Sequence, residues 1–371
     1  MKIKKIIAMS TVAGVALAGL AFSSANAEPV SNSYVLVGSD TLQDSTNALI
    51  NGTNASGSSV RITANGATLG NFDAFGSAAI QAKPYGPFFA RPNGSGAGVT
   101  ALRASIEGTR TYSVSGNATP AKAISAQVDI ARSSSGPGTN ANADGKLLYV
   151  PYARDAVGYV YKGGNAAWAN LSKEQLREIF DGATTTVGGL TIKPRLPQTS
   201  SGTRSFFLGA LGYTAASGAV LAAPAVNDAN NVTAENDATV LADGEIIPFS
   251  AASWLAQANG VTGSNTTTTA NVAFGSPVVG QTAFTGTTTL AANPAFYSNT
   301  TFGRDTYLVV ERARVTAGDP KYNAGLAGLV DGSSTSLNNF GTFASTPGAV
   351  KTKFGFLAPL SATPIPAYAA I

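Results

Sequence analysis

The stretch from residue 147 to residue 180, LLYVPYARDAVGYVYKGGNAAWANLSKEQLREIF, carries the clearest secondary-structure signals in the sequence. Two runs rich in Val, Leu and Tyr, 147–152 and 157–161, predict β-strands. The last ten residues predict an α-helix, because a capping box formed by Ser172 and Gln175 begins a segment with apolar residues at helical spacing. The stretch therefore predicts strands followed by a helix.

The same alternation extends over the rest of the chain. Further strands are predicted at 34–37, 60–63, 128–131, 191–193, 246–249 and 306–310, and further helices begin after 38–40 and 94–96 and near 201–203 and 250. Alternating strands and helices are typical of α/β proteins with mostly parallel sheets. The length exceeds what one sheet usually organises. We therefore expect two lobes, 28–154 plus 301–371 and 155–300, with hinges near Arg154 and Arg304.

One segment, 258–292, differs in composition from its surroundings. It is rich in Thr, Gly and Asn, and it contains no Lys, Arg, Asp or Glu. We expect a surface insertion outside the core, such as a β-hairpin.

The composition excludes several kinds of chemistry. The 371 residues include no His and no Cys, so a Ser-His-Asp triad, a His-bound zinc, a thiolate nucleophile and a disulfide are all impossible. Charged residues make up 12% of the chain, against about 25% in an average protein. A surface in which Gly, Ser, Thr and Asn replace charge indicates a location outside the cytoplasm.

The N-terminus predicts export. Three lysines precede an apolar run from residue 6 to about residue 22, and Ala25-Asn26-Ala27 has the small-x-small pattern of a signal peptidase site. Cleavage after residue 27 would remove three lysines and no acid, which lowers the net charge from +4 to +1. With so small a charge and no basic cluster, we expect no nucleic-acid partner. Since no later run of 18 apolar residues exists, we expect a mature protein that is not embedded in a membrane.

The sequence contains no complete motif of an enzyme or a metal site. Ser95 stands one place too early in 94–98 for a nucleophile elbow. The segment 140–151 resembles the front of a calcium loop, but Pro151 occupies the position of the bidentate Glu. We therefore expect no enzyme activity, no metal and no cofactor.

Three segments place Ser or Thr with Gly where a strand ends and a helix begins. A helix N-terminus presents unpaired N–H groups and the positive end of the helix dipole, so several that converge can bind a small oxyanion. Each segment could equally be a simple N-cap. The segments are 38–41, 94–98 and 200–204, and Arg132 and Arg195 could add positive charge to them.

The chain resembles the phosphate-binding subunit of ABC importers from about residue 34 to residue 357. The matching segments are 38–43 (GSDTLQ), 93–96 (NGSG), 128–134 (VDIARSS), 150–153 (VPYA), 171–182, 200–204 (SSGTR), 247–250 (IPFS) and 303–307 (GRDTY). The resemblance implies a periplasmic binding protein of the two-lobed type II fold, with two mixed or parallel sheets, flanking helices and a two-stranded hinge. It also implies phosphate bound between the lobes and an ABC transporter permease as partner.

The resemblance implies a set of ligand contacts. Thr41 and Leu42 would offer backbone or hydroxyl groups, Ser95 would cap the anion from the second helix, and Arg195 would be the cationic contact. The complete predicted set is Asp40, Thr41, Leu42, Ser95, Gly96, Arg132, Ser133, Ser134, Arg195, Ser201, Gly202 and Thr203.

One departure from the family concerns the recognition of hydrogen phosphate. Ser134 stands where the family has an Asp that accepts the proton of the bound anion. A buried P–OH without an acceptor costs about 1–3 kcal/mol. We therefore expect Asp40 to be the substitute acceptor, with Arg132 as an additional cation.

The sequence thus predicts a monomeric phosphate-binding protein of the periplasm, exported and not lipidated, although secretion into the medium is also compatible with it. Two alternatives remain open. The same fold could bind another oxyanion, such as sulfate, molybdate or arsenate, or a phosphorylated metabolite. Alternatively, the Thr/Gly/Asn-rich surface could belong to an extracellular structural or adhesive protein.

Overall fold

The computed structural model describes Ser31, residues 33–213 and residues 233–371. The predicted signal peptide, 1–27, lies outside these residues. Within the described ranges, no helix is both long and apolar enough to cross a lipid bilayer.

The strands of the described residues are mostly short. They are β1 (Tyr34–Gly38), β2 (Leu69–Asn71), β3 (Ala79–Gln81), β4 (Phe88–Ala90), β5 (Thr111–Tyr112), β6 (Lys122–Ala123), β7 (Ile130–Ser133), β8 (Leu147–Lys162), β9 (Thr186–Val187), β10 (Leu190–Thr191), β11 (Lys193–Pro194), β12 (Glu245–Ser250), β13 (Val272–Gly275), β14 (Phe284–Thr285), β15 (Ala291–Ala292), β16 (Gly303–Glu311) and β17 (Ile365–Ala367).

The helices connect these strands on both sides of the sheet. They are α1 (Gln43–Asn51), α2 (Ser95–Glu107), α3 (Lys173–Phe180), α4 (Gly202–Ala210), α5 (Ala251–Ala258), α6 (Pro294–Tyr297), α7 (Arg312–Val315), α8 (Ala324–Gly328) and α9 (Pro347–Lys353). The α/β class predicted from the sequence is confirmed.

The local predictions hold where a sequence pattern is complete. The capping box of α3 forms as expected, with the Ser172 side chain accepting from the Gln175 amide. The predicted strand 60–63 does not form, and Val60 makes only one isolated bridge, to Thr53. Its apolar residues are buried against a core cluster, so their pattern reports burial rather than strand pairing.

A mixed sheet of nine strands forms the centre of the molecule. Its main order is β11-β12-β8-β16-β7-β1-β2, and β13 and β17 also pair with β8. Strands β2, β1 and β7 are parallel, whereas β16 and β8 run antiparallel to their neighbours. The expected two sheets are therefore joined into one, because the two strands predicted at 147–152 and 157–161 are a single strand.

Strand β8 is the connecting element. It has 16 residues, which corresponds to a length of roughly 50 Å. Its first part pairs with β16 and β17, and its second part pairs with β12 and β13. The pairing of β16 with β8 shifts register between Thr306 and Tyr307. β8 and β16 are thus the two strands that run through the middle of the protein.

Three main hydrophobic clusters surround this sheet. Alternate residues of β1 enter different clusters: Leu36 packs with Tyr152 and Leu308, whereas Val37 packs with Phe89. Both faces of β1 are therefore covered, which explains its uninterrupted apolar sequence. The third cluster draws its buried residues from 157–302. The lobe boundaries near residues 154 and 300 stay a prediction.

The Thr-rich segment 258–292 contributes to the sheet. Its strand Val272–Gly275 pairs with β8, and the ring centroid of Phe274 lies 5.7 Å from that of Trp254 and 4.9 Å from that of Phe284. The expectation of a surface insertion does not hold for this strand, which belongs to the central sheet although Val272, Ala273 and Phe274 are only half-buried. The polar composition of the segment hides these three apolar residues, which extend the sheet. A short hairpin, β14–β15, follows.

Two Arg-Asp dipeptides face each other where the antiparallel neighbours β8 and β16 pair at residues 154–155 and 304–305. We call this place the strand crossing, because both strands continue there from one half of the sheet into the other. The register pairs Arg304 with Asp155 and Asp305 with Arg154. Because successive strand residues point to opposite faces, the two ion pairs lie on opposite sides of the sheet. Arg304 Nη2 lies 2.8 Å from Asp155, and both side chains are almost completely buried. Arg154 Nη1 lies 3.3 Å from Asp305.

Asp155 is the anchor of this crossing. It is fully buried, and it accepts hydrogen bonds from Arg304, from the Ser250 hydroxyl and from the Ala252 amide. Removing one partner of a buried ion pair leaves an uncompensated charge. We expect Asp155→Ala to lower the free energy of unfolding by about 3–5 kcal/mol, measured by urea denaturation. Glu107→Ala, which removes the exposed pair with Arg110, should cost less than about 1 kcal/mol. Equal losses would contradict this role of the buried pair.

Candidate functional site

Five buried hydroxyl groups come together near the strand crossing. We call Thr41, Ser95, Ser134, Ser201 and Thr203 the hydroxyl cluster; each is at most 5% exposed. The Oγ1 atoms of Thr41 and Thr203 lie 3.4 Å apart, and the Oγ atoms of Ser95 and Ser134 lie 3.1 Å apart.

Each member of the cluster stands at the end of a strand or the start of a helix. Thr41 follows β1 and precedes α1, Ser95 is the first residue of α2, and Ser134 follows β7. Ser201 is the N-cap of α4, where its hydroxyl accepts from the Arg204 amide at 3.0 Å. Three helix N-termini therefore border the same hydroxyl groups, and a helix N-terminus offers backbone N–H donors and the positive end of the helix dipole.

The N-termini of α2 and α4 touch directly. The Gly96 amide donates to the Ser200 carbonyl at 3.0 Å. A Cβ atom on Gly202 would overlap the hydroxyl oxygens of Ser95 and Ser134. Only glycine fits at position 202, since any side chain there would push the two helix starts apart.

The positive charge in this site comes from Arg304. Its Nη2 atom donates to Thr203 Oγ1 at 2.9 Å and to Thr41 Oγ1 at 3.4 Å, while Asp155 accepts from Nε and from the same Nη2 atom. Arg304 is 3% exposed, and its Nη1 atom has no hydrogen-bond partner among the described residues. A buried guanidinium nitrogen without an acceptor is costly, and it marks a place where an anion would be stabilised.

A carboxylate lies against the same groups. The Ser201 hydroxyl donates to Oε2 of Glu235, which is 2% exposed. Burial raises the pKa of Glu235, while the Ser201 hydroxyl, the charge of Arg304 and the backbone amides of Thr203 and Thr41 oppose that rise. The other oxygen, Oε1, has no partner among the described residues.

A second carboxyl group stands beside the first. Asp40 accepts from the Asn236 side-chain amide at 3.0 Å, and the same amide reaches Thr41 Oγ1 at 3.4 Å. Burial of the carboxyl raises the pKa of Asp40 well above its usual value, and the nearby charge of Glu235 adds to this rise. Two neighbouring acids in one buried site disfavour double ionisation.

The structure places Arg132 beneath the site. It is fully buried, and its donors go to the carbonyl groups of Ser39 and Phe72 and to the side chain of Asn71. Burial lowers the pKa of Arg132 to about 10. Its donors therefore hold the loop that carries Asp40 and Thr41, and its charge acts from a distance.

Three other predicted residues point their side chains elsewhere. Leu42 packs into a hydrophobic cluster, and the hydroxyl of Ser133 closes a local turn with Ser135. Arg195 makes a two-pronged ion pair with Glu245, with contacts of 2.9 and 3.0 Å. The structure therefore brings the guanidinium of Arg304, not that of Arg195, to the hydroxyl cluster.

Two residues of this site, Arg304 and Glu235, are not among the predicted ligand contacts. The sequence predicts Arg304 only as a hinge residue, although the Arg-Asp dipeptide at 304–305 repeats the one at 154–155. Glu235 lies in no motif, and nothing in the sequence assigns it to the site. Both residues are far in sequence from the glycine-rich segments and reach the site through the strand crossing and the segment before β12.

Comparison with known proteins identifies the class. A family model described as a PBP superfamily domain matches residues 50–343, and the chain belongs to that superfamily. An ABC-type phosphate transport receptor from Vibrio cholerae has a similar structure (TM-score 0.50, 15% identity, covering 88% of this chain and all of that one). A Clostridium perfringens protein described as a phosphate ABC transporter substrate-binding protein with bound phosphate is equally similar (TM-score 0.50, 14% identity, 88% and 99% covered). No curated protein sequence shows significant similarity. The predicted binding-protein fold is thereby confirmed.

The packing of Gly202 gives a direct test of the site. We expect Gly202→Ala to abolish anion binding and to cost about 1–3 kcal/mol of stability, because the added methyl group overlaps Ser95 and Ser134. Gly209→Ala is the matched control on the same helix: it meets no atom within 4 Å and should be neutral or stabilising by up to about 1 kcal/mol. Thermal melts and calorimetry measure both effects. If Gly202→Ala still binds anions, the contact between the N-termini of α2 and α4 is not part of the binding site.

Proposed function

We propose that this protein binds inorganic phosphate, or a closely similar oxyanion, at the hydroxyl cluster. The observation that carries the proposal is the convergence of three helix N-termini and one buried arginine on five buried hydroxyl groups. Hydroxyl and amide donors around a buried cation offer an oxyanion many hydrogen bonds at once. Arg304 supplies the charge, and its Nη1 atom, which has no partner in the described part of the chain, supplies a donor.

The energy required is modest. A micromolar dissociation constant corresponds to about −8 kcal/mol. Hydrogen bonds to charged groups each contribute roughly 1.5–3 kcal/mol. The amides of Thr41 and Thr203, the hydroxyl of Ser201 and the guanidinium of Arg304 are sufficient to supply this free energy. Their burial strengthens each contact, because the effective dielectric constant is lower than in water.

The proposal extends to transport. The predicted lobes contribute to the site from both sides, since Thr41 and Ser95 come from the first and Ser201 and Thr203 from the second. A ligand held between two lobes stabilises their closed arrangement, a change of shape that a permease can recognise. The fold and the family support the role of a binding protein for an ABC importer. We propose the periplasm as its location, consistent with the predicted signal peptide, and a monomeric state.

Another oxyanion is the alternative that the site geometry itself favours. Every hydroxyl of the cluster can donate a hydrogen bond, as can the guanidinium of Arg304, and such donors bind sulfate as readily as phosphate. Calorimetric titration with phosphate, arsenate, sulfate and molybdate distinguishes these ligands. An adhesive or structural protein would bind none of them and would show no thermal shift with any.

The role of Arg304 can be tested against that of Arg195. We expect Arg304→Ala to weaken phosphate binding by at least about tenfold, since it removes a charged contact worth ~1.5–3 kcal/mol. Arg304→Lys keeps a charge next to Asp155 and should fold, while losing the forked contact. Arg195→Ala should reduce stability, through loss of the Glu245 pair, and leave the affinity unchanged. Calorimetry on the folded variants decides, and a larger loss of affinity in Arg195→Ala would overturn the assignment of Arg304.

A further inference from the structure

The carboxylate of Glu235 lies where an anion would be held. The Ser201 hydroxyl, which the proposed function assigns to a ligand, donates to Oε2, and the backbone amides of Thr203 and Thr41 and the charge of Arg304 favour the ionised form of the carboxylate. The side chain is 2% exposed, so no solvent layer separates it from these groups.

The backbone around Glu235 is fixed independently of its carboxylate. The Thr233 carbonyl accepts from the Gln198 amide at 2.9 Å. The Asn236 carbonyl accepts from the Gln257 side chain at 2.7 Å, and the Asn236 side chain accepts from the Ser250 amide at 3.0 Å. The carboxylate can therefore leave the cluster by rotation about its side-chain bonds while the main chain stays in place.

Glu235 and Asn236 together contact both predicted lobes. The Glu235 carboxylate binds Ser201 in the second lobe, and the Asn236 side chain binds Asp40 and Thr41 in the first. These two neighbouring residues thus link the same two sides that a bound oxyanion would link.

We propose that Glu235 is an internal occupant of the anion site, which an incoming divalent oxyanion must displace; the inference rests on the proposed function. Both anions use the Ser201 hydroxyl, and the backbone amides of Thr41 and Thr203 and the charge of Arg304 favour a negative charge beside it, so the two anions compete for one place. Glu235 carries one negative charge and two oxygens, whereas hydrogen phosphate and sulfate carry two charges and four oxygens. The external anion therefore gains contacts that the carboxylate cannot make, including one with Nη1 of Arg304.

Competition of this kind has a defined signature. When Glu235 fills the site in most molecules, only the remaining fraction can bind an external anion. The apparent dissociation constant is the intrinsic one divided by that fraction, so it rises by the same factor for every ligand. Glu235 thus sets the threshold that any anion has to exceed. Anions with weak intrinsic affinity are rejected, while the ratio between phosphate and sulfate affinities is unaffected.

The experiment is calorimetric titration of the full-length protein with phosphate and with sulfate. Glu235→Gln keeps the size of the side chain and removes its charge, and Glu235→Ala removes the occupant. We expect both variants to bind phosphate and sulfate at least about tenfold more tightly than the wild-type protein, by the same factor for both anions. Glu178→Gln, an exposed carboxylate on α3, is the matched control and should change neither affinity.

The outcomes separate this inference from the proposed function. Unchanged affinities in both Glu235 variants, with phosphate bound by the wild-type protein, overturn the inference and leave the proposed function intact. Weaker phosphate binding with unchanged sulfate binding also overturns it, because Glu235 then accepts a hydrogen bond from bound hydrogen phosphate. Binding that is detectable only in the variants supports both. No binding of either anion by any of these proteins overturns both.

Discussion

The ion pair between Arg304 and Asp155 is the interaction on which the site depends. It lies at the crossing of β8 and β16, and nearly complete burial makes each partner indispensable to the other. Asp155 also binds the start of α5 through Ser250 and Ala252. The ion pair therefore holds β8 and β16 together where the two halves of the sheet meet. It also positions the guanidinium that donates to Thr41 and Thr203.

The strand framework explains why the polar groups of the site come from distant parts of the chain. β1 and β7 are parallel neighbours, so the residues that follow them, Thr41 and Ser134, leave the same edge of the sheet. The helices that begin at Ser95 and Gly202 then bring their N-termini to that edge. A hydroxyl group at such a position can cap the helix or bind an anion, and it uses the same hydrogen bonds for both. One segment alone therefore does not distinguish a cap from a binding site, whereas several segments that meet at one place indicate a binding site.

Local patterns and the family resemblance predicted much of this architecture. The capping box of α3, the glycine-rich helix starts and the apolar runs of β1 and β12 depend on neighbours in sequence, so they were readable. The union of two predicted strands into β8 was not, because Arg154 and Asp155 interrupt the apolar pattern, and only the tertiary fold supplies the partners that hold these charges within a strand. The partners of Arg195 and Arg304 were not readable either, since a guanidinium pairs with whichever carboxylate the tertiary fold places nearby.

The hydrogen-bonded ladder between β8 and β16 has a mechanical consequence. A hinge made of loops swivels freely, but a hydrogen-bonded two-stranded ribbon resists sliding and yields by twist and bend. The register shift between Thr306 and Tyr307 interrupts the ladder two residues beyond Arg304, and bulges of this kind are where a ribbon bends most easily. Bending of the molecule would therefore be concentrated next to the guanidinium of Arg304. The position of Arg304 and the angle between the two halves of the sheet would change together.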